Sequence, residues 1–236
     1  MSRILLLSNG HGEDLSGGLL AKHLVQKGDT VDALPIVGDG ENYKKININI
    51  IGKTRKFRTG GIGYNSLKGR MFEIFGGQII YFLKKLYLSY ELRNKYDFYL
   101  VIGDIVPIFF AWFAKKDFFV YLVAYSSHYE GKLKLPWPCK FFLLSKYAKK
   151  IYARDVLTAN DLTSHLDKKV YFYGNPFMDI FDHYDCKSNN NKVIFALLPG
   201  SRIPEVENNF ITMINLLEQL SYLKISNDFL FEFPLV

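Results

Sequence analysis

Short, unbroken apolar runs alternate along the chain with stretches in which Leu, Ile, Phe and Ala recur at helical spacing. The run Ile4–Leu7 predicts a strand, and Leu15–Lys27, closed by Gly28, a helix. Strands are then expected at Thr30–Leu34, at the "NIIG" segment, and at Phe98–Ile102, Phe118–Val123, Lys150–Ala153 and Val170–Tyr173. Helices are expected at Arg70–Lys95 (with a break near Gly76-Gly77), Val106–Lys115, Pro138–Tyr147 and Leu157–Leu166. Runs that are apolar throughout, rather than at every second residue, belong to strands covered on both faces. This order therefore predicts an α/β fold with a parallel sheet.

The pattern lapses at "FDHYDCKSNNNK", which is polar and Asn-rich, and then restarts. Strand Val193–Leu197, the turn "LPGSR", helix Glu205–Leu220 and strand Phe229–Phe233 make one further βαβ unit. The expected organisation is a domain over residues 1–180, a linker over 181–191 and a partial second domain over 192–236. A single βαβ unit cannot cover both faces of its own sheet. The expectation is a second domain that is cut short or that borrows a surface. Residues Lys53 to Gly69, with "RTGGIGYNS", form a long Gly-rich basic loop of the kind usually kept for function.

Composition narrows the class. With 49% apolar and 22% charged residues the chain is globular. Two cysteines and no CxxC suit a reducing compartment. The start "MSRILLLSNG" lacks the pattern of a secretory leader, and "YLVIGDIVPIFFAWF", the nearest thing to a membrane span, is broken by Asp104 and Pro107. A cytoplasmic protein is expected. The net charge of +7 is spread out, with clusters at Lys53–Arg58 and Lys146–Lys150. It fits a solvated surface, an anionic membrane or a phosphate-bearing substrate; no nucleic-acid-binding motif accompanies it, so nucleic acid is not an expected partner.

Four stretches carry polar chemistry where a strand ends. In "SNGHGEDLSGG" a glycine-rich turn leads from strand to helix, where free N–H groups and the helix dipole favour anionic or hydroxyl-bearing ligands. Its glycines, Gly10, Gly12, Gly17 and Gly18, do not make GxGxxG, so no dinucleotide fingerprint is present. His11, Glu13 and Asp14 could bind hydroxyls or move protons; equally, Asp14 or Ser16 caps the helix and the glycines serve packing. In "LVIGDIVP", Asp104 is either a desolvated base at the carboxyl edge of the sheet or the cap of the next helix. "YGNPFMD" reads as a turn with Asn175 and Asp179 nearby. In "LLPGSRIPEV", Gly200 and Ser201 offer donors at a helix start, and Arg202 suits bidentate phosphate binding or an exposed surface.

The pair "GNPxxD" and "LLPGSRxxE", about twenty residues apart, resembles lipid-A-disaccharide synthase, an inverting glycosyltransferase of GT-B architecture. "SNGHGEDLSGGLLAKHL", "ALPIVGDGENY" and "RTGGIGYNSLKG" are similar to the lipid-A-disaccharide-synthase-related branch known mainly from photosynthetic bacteria. The resemblance implies a complete Rossmann-like acceptor domain followed by the first βαβ unit of a nucleotide-sugar domain. It implies transfer of a sugar from a UDP-sugar to a lipid-linked acceptor, at the inner membrane face. Asp104 would be the general base, with Glu13 and His11 beside it. Gly12, Ser16 and Gly17 would face the acceptor, although "GHGEDLSGG" departs from the synthase's "GExSGD". Gly200, Ser201 and Arg202 would face the donor pyrophosphate, while Asn175 and Asp179 would shape the hinge. No metal or other cofactor is implied.

Family members run longer, and the expectation includes a non-catalytic remnant or acceptor-binding module lacking the donor site, and a GT-B UDP-sugar epimerase. Among the other residues, His128 in "AYSSHYEGK" is a candidate for the cleft border. "IIYFLKKLYLSYEL" reads first as a core helix; with Lys84 and Lys85 on it, and "KFFLLSKYAKK" later, the alternative is a peripheral membrane contact.

Overall fold

A computed structural model describes residues 1–55, 77–131, 133, 135–180, 193–200, 205–222 and 229–232. The chain divides into two compact units, Met1–Asp182 and His183–Val236.

In the first unit, seven parallel strands make one sheet: β1 (Arg3–Ser8), β2 (Thr30–Pro35), β3 (Asn49–Ile50), β4 (Phe98–Ile102), β5 (Phe118–Leu122), β6 (Ala148–Ala153) and β7 (Val170–Tyr171). They lie in the order β3-β2-β1-β4-β5-β6-β7. The helices are α1 (His11–Gln26), α2 (Glu41–Lys44), α3 (Gln78–Leu92), α4 (Ile105–Phe113), α5 (Ser127–Glu130), α6 (Trp137–Leu144) and α7 (Val156–Leu166). A 3₁₀ turn, Pro176–Ile180, follows β7.

The unbroken apolar runs do what their pattern requires. Successive side chains of β1 enter opposite faces. Leu5 and Leu7 join Ile108, Phe110, Val120 and Phe142 on one face, while Ile4 and Leu6 join Ala21, Ala33 and Tyr43 on the other. Helices α3, α4 and α6 pack side by side over the first face, and α1 and α2 meet over the second. The chain builds outward from β1 to β3, then returns to start β4 on the other side of β1. The carboxyl ends of β1 and β4 are thus neighbours at the point where strand order reverses, with Ser8 paired to Ile102. That is where open parallel sheets receive ligands.

Several expectations need correction. Helix α1 begins at His11, not Leu15, because Gly10 adopts φ 152° and ψ 174° and its carbonyl accepts the Asp14 N–H at 2.8 Å. The polar turn shrinks to Asn9-Gly10, and Glu13 and Asp14 occupy the first helical turn, where the dipole favours acids. The break expected near Gly76-Gly77 is present, with Gly77 at φ 75° capping a helix that starts at Gln78; that helix stops at Leu92, short of the expected Lys95. Residues 70–76 of the expected helix, and most of the Gly-rich loop, lie outside the described residues. The short helices α2 and α5 are additional to the expected elements, and the turn expected at "YGNPFMD" is the 3₁₀ turn. Lys85, which with Lys84 supported the alternative of a membrane contact, is buried, with its Nζ donating to the Pro35 carbonyl at 2.9 Å.

In the second unit, β8 (Val193–Ala196) pairs in parallel with β9 (Phe229–Glu232), with α8 (Glu205–Tyr222) between them in the chain. Residues 181–191, read as a linker, and Ser201 and Arg202 lie outside the described residues. Among the described residues no helix is long and apolar enough to cross a membrane.

Candidate functional site

The two neighbouring strand ends bring Asn9, Glu13 and Asp104 together. Asp104 caps α4, its Oδ1 accepting the Val106 N–H at 2.9 Å. The Asn9 amide nitrogen lies 3.4 Å from Asp104 Oδ1 and 3.3 Å from Oδ2. The main-chain N–H of Asn9 donates to Glu13 Oε2 at 2.5 Å. The cap reading of Asp104 holds, and the cap does not use up the carboxylate: one oxygen fastens the helix while the group faces the second acid.

Gly103 makes this approach sterically feasible. Its φ of +128° strains any L side chain, and a Cβ there would overlap the Glu13 carboxyl group. Burial and the nearby Asp104 charge push the Glu13 carboxyl well up, against the opposing pull of the Asn9 N–H. Burial also pushes Asp104 up, opposed by the Val106 N–H and the Asn9 amide. Two desolvated acids side by side favour a state in which one keeps a proton and the other is ionised.

Behind this pair runs a buried chain of hydroxyls. Tyr43 OH donates to Ser8 Oγ at 2.9 Å, and Ser8 Oγ donates to Asp14 Oδ1 at 2.6 Å. Asp14 is 2% exposed, and burial pushes its carboxyl up to about 7, the Ser8 bond and the charge of Lys85 opposing. Burial lowers Lys85 to about 8. Asp14 is thus a core group below the site, not a helix cap.

The other expected residues separate. His11 is the first residue of α1, and Gly12, next in the turn, is exposed. Ser16 is buried, its Oγ donating to the Gly12 carbonyl at 3.2 Å. Gly17 is also buried, and a Cβ there would overlap the Tyr43 hydroxyl. Asn175 Oδ1 accepts the Phe177 N–H at 3.2 Å and the Tyr121 hydroxyl at 3.4 Å, while the Asp179 carboxylate lies 3.8 Å from His23 Nε2. These contacts tie the segment after β7 to β5 and α1. His128 sits after β5 with its Nε2 3.7 Å from Asp155 Oδ1. Gly200, in the second unit, has φ +102°.

Asn9 and Tyr43 were not anticipated at the site, and Lys85 was read only as a surface cation. A polar residue directly after a fully apolar strand was the available signal for Asn9; the other two depend on contacts between distant elements. An apolar groove of about 330 Å³ lies between α3 and α4, lined by Phe82, Leu83, Leu86, Ile105, Val106 and Phe109. Its α4 side begins at the residue after Asp104. Among the described residues no group of three or more His, Cys, Asp or Glu is placed to hold a metal ion.

No protein-family model matches the chain, and no curated protein matches it. Solved structures do. A glycosyltransferase from Rickettsia africae superposes with a TM-score of 0.60 at 14% identity, over 98% of this chain and 68% of that one. HepE from Anabaena, in complex with UDP and glucose, gives 0.59 at 12% identity, over 100% and 70%. The fold is GT-B. UDP-GlcNAc 2-epimerase from Neisseria meningitidis, bound to UDP-GlcNAc, gives 0.52 at 17% identity, over 99% and 65%. At these identities the likeness establishes the GT-B fold alone, and the chain spans between 65% and 70% of the length of these three proteins.

Proposed function

We propose that this chain takes part in transfer of a sugar from a UDP-sugar to a hydroxyl of a lipid-linked acceptor, with inversion, as in the lipid-A-disaccharide-synthase-related proteins it resembles. The observation that carries this is the desolvated Asp104 carboxylate beside Glu13 at the reversal point of the sheet. Asp104 takes the proton of the acceptor hydroxyl as its oxygen bonds to the anomeric carbon. The bond from that carbon to the phosphate oxygen breaks, and UDP leaves with the electron pair. Glu13, in its protonated form, donates a hydrogen bond at the same place. Gly200, Ser201 and Arg202 are the residues proposed to meet the pyrophosphate. The occurrence of UDP and UDP-GlcNAc in two proteins of this fold supports a UDP-sugar donor.

Calorimetric titration of the chain with UDP and UDP-GlcNAc tests the donor. Binding is expected, and Arg202→Ala should remove it. A folded chain that binds neither ligand overturns the donor assignment and favours an acceptor-binding module without turnover. A second reading, UDP-sugar epimerisation, is favoured by the epimerase among the structures of this fold. Conversion of UDP-GlcNAc to its C2 epimer, with UDP still attached to the sugar and no acceptor present, would select it.

The lipid-linked acceptor is proposed from the apolar groove next to Asp104, with room for part of an acyl chain. Peripheral attachment to the inner membrane face is proposed on the same side of the sheet. There Ile79, Ile80, Leu83 and Tyr87 of α3 and Trp137 and Phe141 of α6 are exposed, with Lys84 and Lys140 among them in the chain. Co-sedimentation with vesicles containing anionic phospholipid is expected. The double variant Trp137→Ser, Phe141→Ser should reduce it about tenfold or more, given the apolar area lost. Unchanged sedimentation of that variant would remove this surface from consideration.

A further inference from the structure

We infer that Asn9 is the positioning residue of the acid pair: its side-chain amide holds Asp104 as the ionised partner while its main-chain N–H holds the Glu13 carboxyl against it. The inference rests on the reading of Asp104 as the base, and it gives that reading a device that selects which acid keeps the proton.

Asn9 is 8% exposed and stands between the two acids. Its amide nitrogen is within 3.3 and 3.4 Å of both Asp104 oxygens, and its main-chain nitrogen within 2.5 Å of Glu13 Oε2. The orientation of the amide follows from charge, since only the N–H₂ end can face a carboxylate. It leaves Asn9 Oδ1 buried with no hydrogen-bond partner among the described residues. An empty buried acceptor costs stability, so the side chain is not there to satisfy itself. What distinguishes it from an apolar residue of the same shape is the amide it gives to Asp104.

The donors are unequal. Asp104 receives the Val106 N–H and the Asn9 amide, whereas Glu13 receives the single N–H of Asn9. Donors favour the charged form of the acid they meet, so the proton falls to Glu13. The other titratable groups facing the pair among the described side chains are Asp14 on α1, Tyr43 on α2, Tyr125 after β5 and Cys139 on α6. Burial pushes the last three upward, Cys139 to about 12, so they stay neutral while the carboxyls titrate.

The test is carbon-13 NMR titration of the side-chain carboxyls in the full chain, with Glu13→Gln and Asp104→Asn supplying assignments. In Asn9→Leu the Asp104 midpoint should rise by about one unit, the scale of one lost hydrogen bond to a charged group. The Glu13 midpoint should fall as its neighbour becomes neutral. Unchanged midpoints in a variant whose circular dichroism is native would overturn the inference. Should Asn9→Leu fail to fold, Asn9→Ala carries the same expectation and the same overturning result. No substrate is used, so the inference can fail while sugar transfer stands, and the reverse. Where turnover is measurable, the pH profile of kcat should move with the Asp104 midpoint; a merely structural asparagine would lower kcat at every pH alike.

Discussion

Asp104→Asn is expected to lower sugar transfer by about 10²- to 10⁴-fold, the usual share of a positioned general base. The substitution is chosen because it leaves the scaffold in place. Asn caps helices as well as Asp does, and its Oδ1 can still accept the Val106 N–H that starts α4. Only the capacity to take a proton is removed. UDP-sugar binding and thermal midpoint should therefore stay near those of the parent, while turnover collapses. Assay of transfer to a lipid-linked acceptor, alongside calorimetry with UDP, separates the two. Turnover within about threefold of the parent would remove Asp104 from the role of base.

The second large effect is on stability. The Asp14 carboxyl lies at about 7 in the folded protein against an ordinary 3.8. The folded state therefore keeps a proton that the unfolded chain has released throughout that interval. Stability falls as pH rises from about 4 to about 7, and is constant outside it as far as this group is concerned. Between about pH 5 and pH 8 the loss amounts to roughly 2–3 kcal/mol. Asp14→Asn cannot ionise. Its Oδ1 can still accept from Ser8, so urea unfolding of the variant should show most of that decline gone. The loss of attraction between Asp14 and Lys85 offsets part of the gain at neutral pH. Equal declines in parent and variant between pH 5 and pH 8 would show that Asp14 ionises at its ordinary value.

What the chain revealed before folding, and what it withheld, follows the range of the interactions. The strand Phe98–Ile102 was readable residue for residue, since an apolar run bounded by polar residues is a local signal. Asp104 and Glu13 were legible for the same reason, each following the end of such a run. The start of α1 was not. Its first turn holds Gly12 and two acids, which lack apolar periodicity; the helix is set by the backbone of Gly10 and by the carbonyl it offers to Asp14. Lys85 looked like a surface cation on a helix rich in apolar residues. Its burial is decided fifty positions away, by the Pro35 carbonyl that closes β2. Gly17 and Tyr43 illustrate the same limit. Each is unremarkable alone, and only their contact explains why a buried helix position lacks a side chain.

The reversal of strand order has a consequence for how the protein becomes competent. Asn9 and Asp104 are separated by 95 residues, and they meet only when β4 docks against β1. Joining such distant segments is entropically costly and comes after local helices and turns have formed. Until β4 docks, no acid stands opposite Glu13. The paired carboxyls are therefore absent from every intermediate in which β4 is undocked. Chemistry at this site is a property of the completed sheet, and a nascent chain shorter than about a hundred residues carries Glu13 but not Asp104.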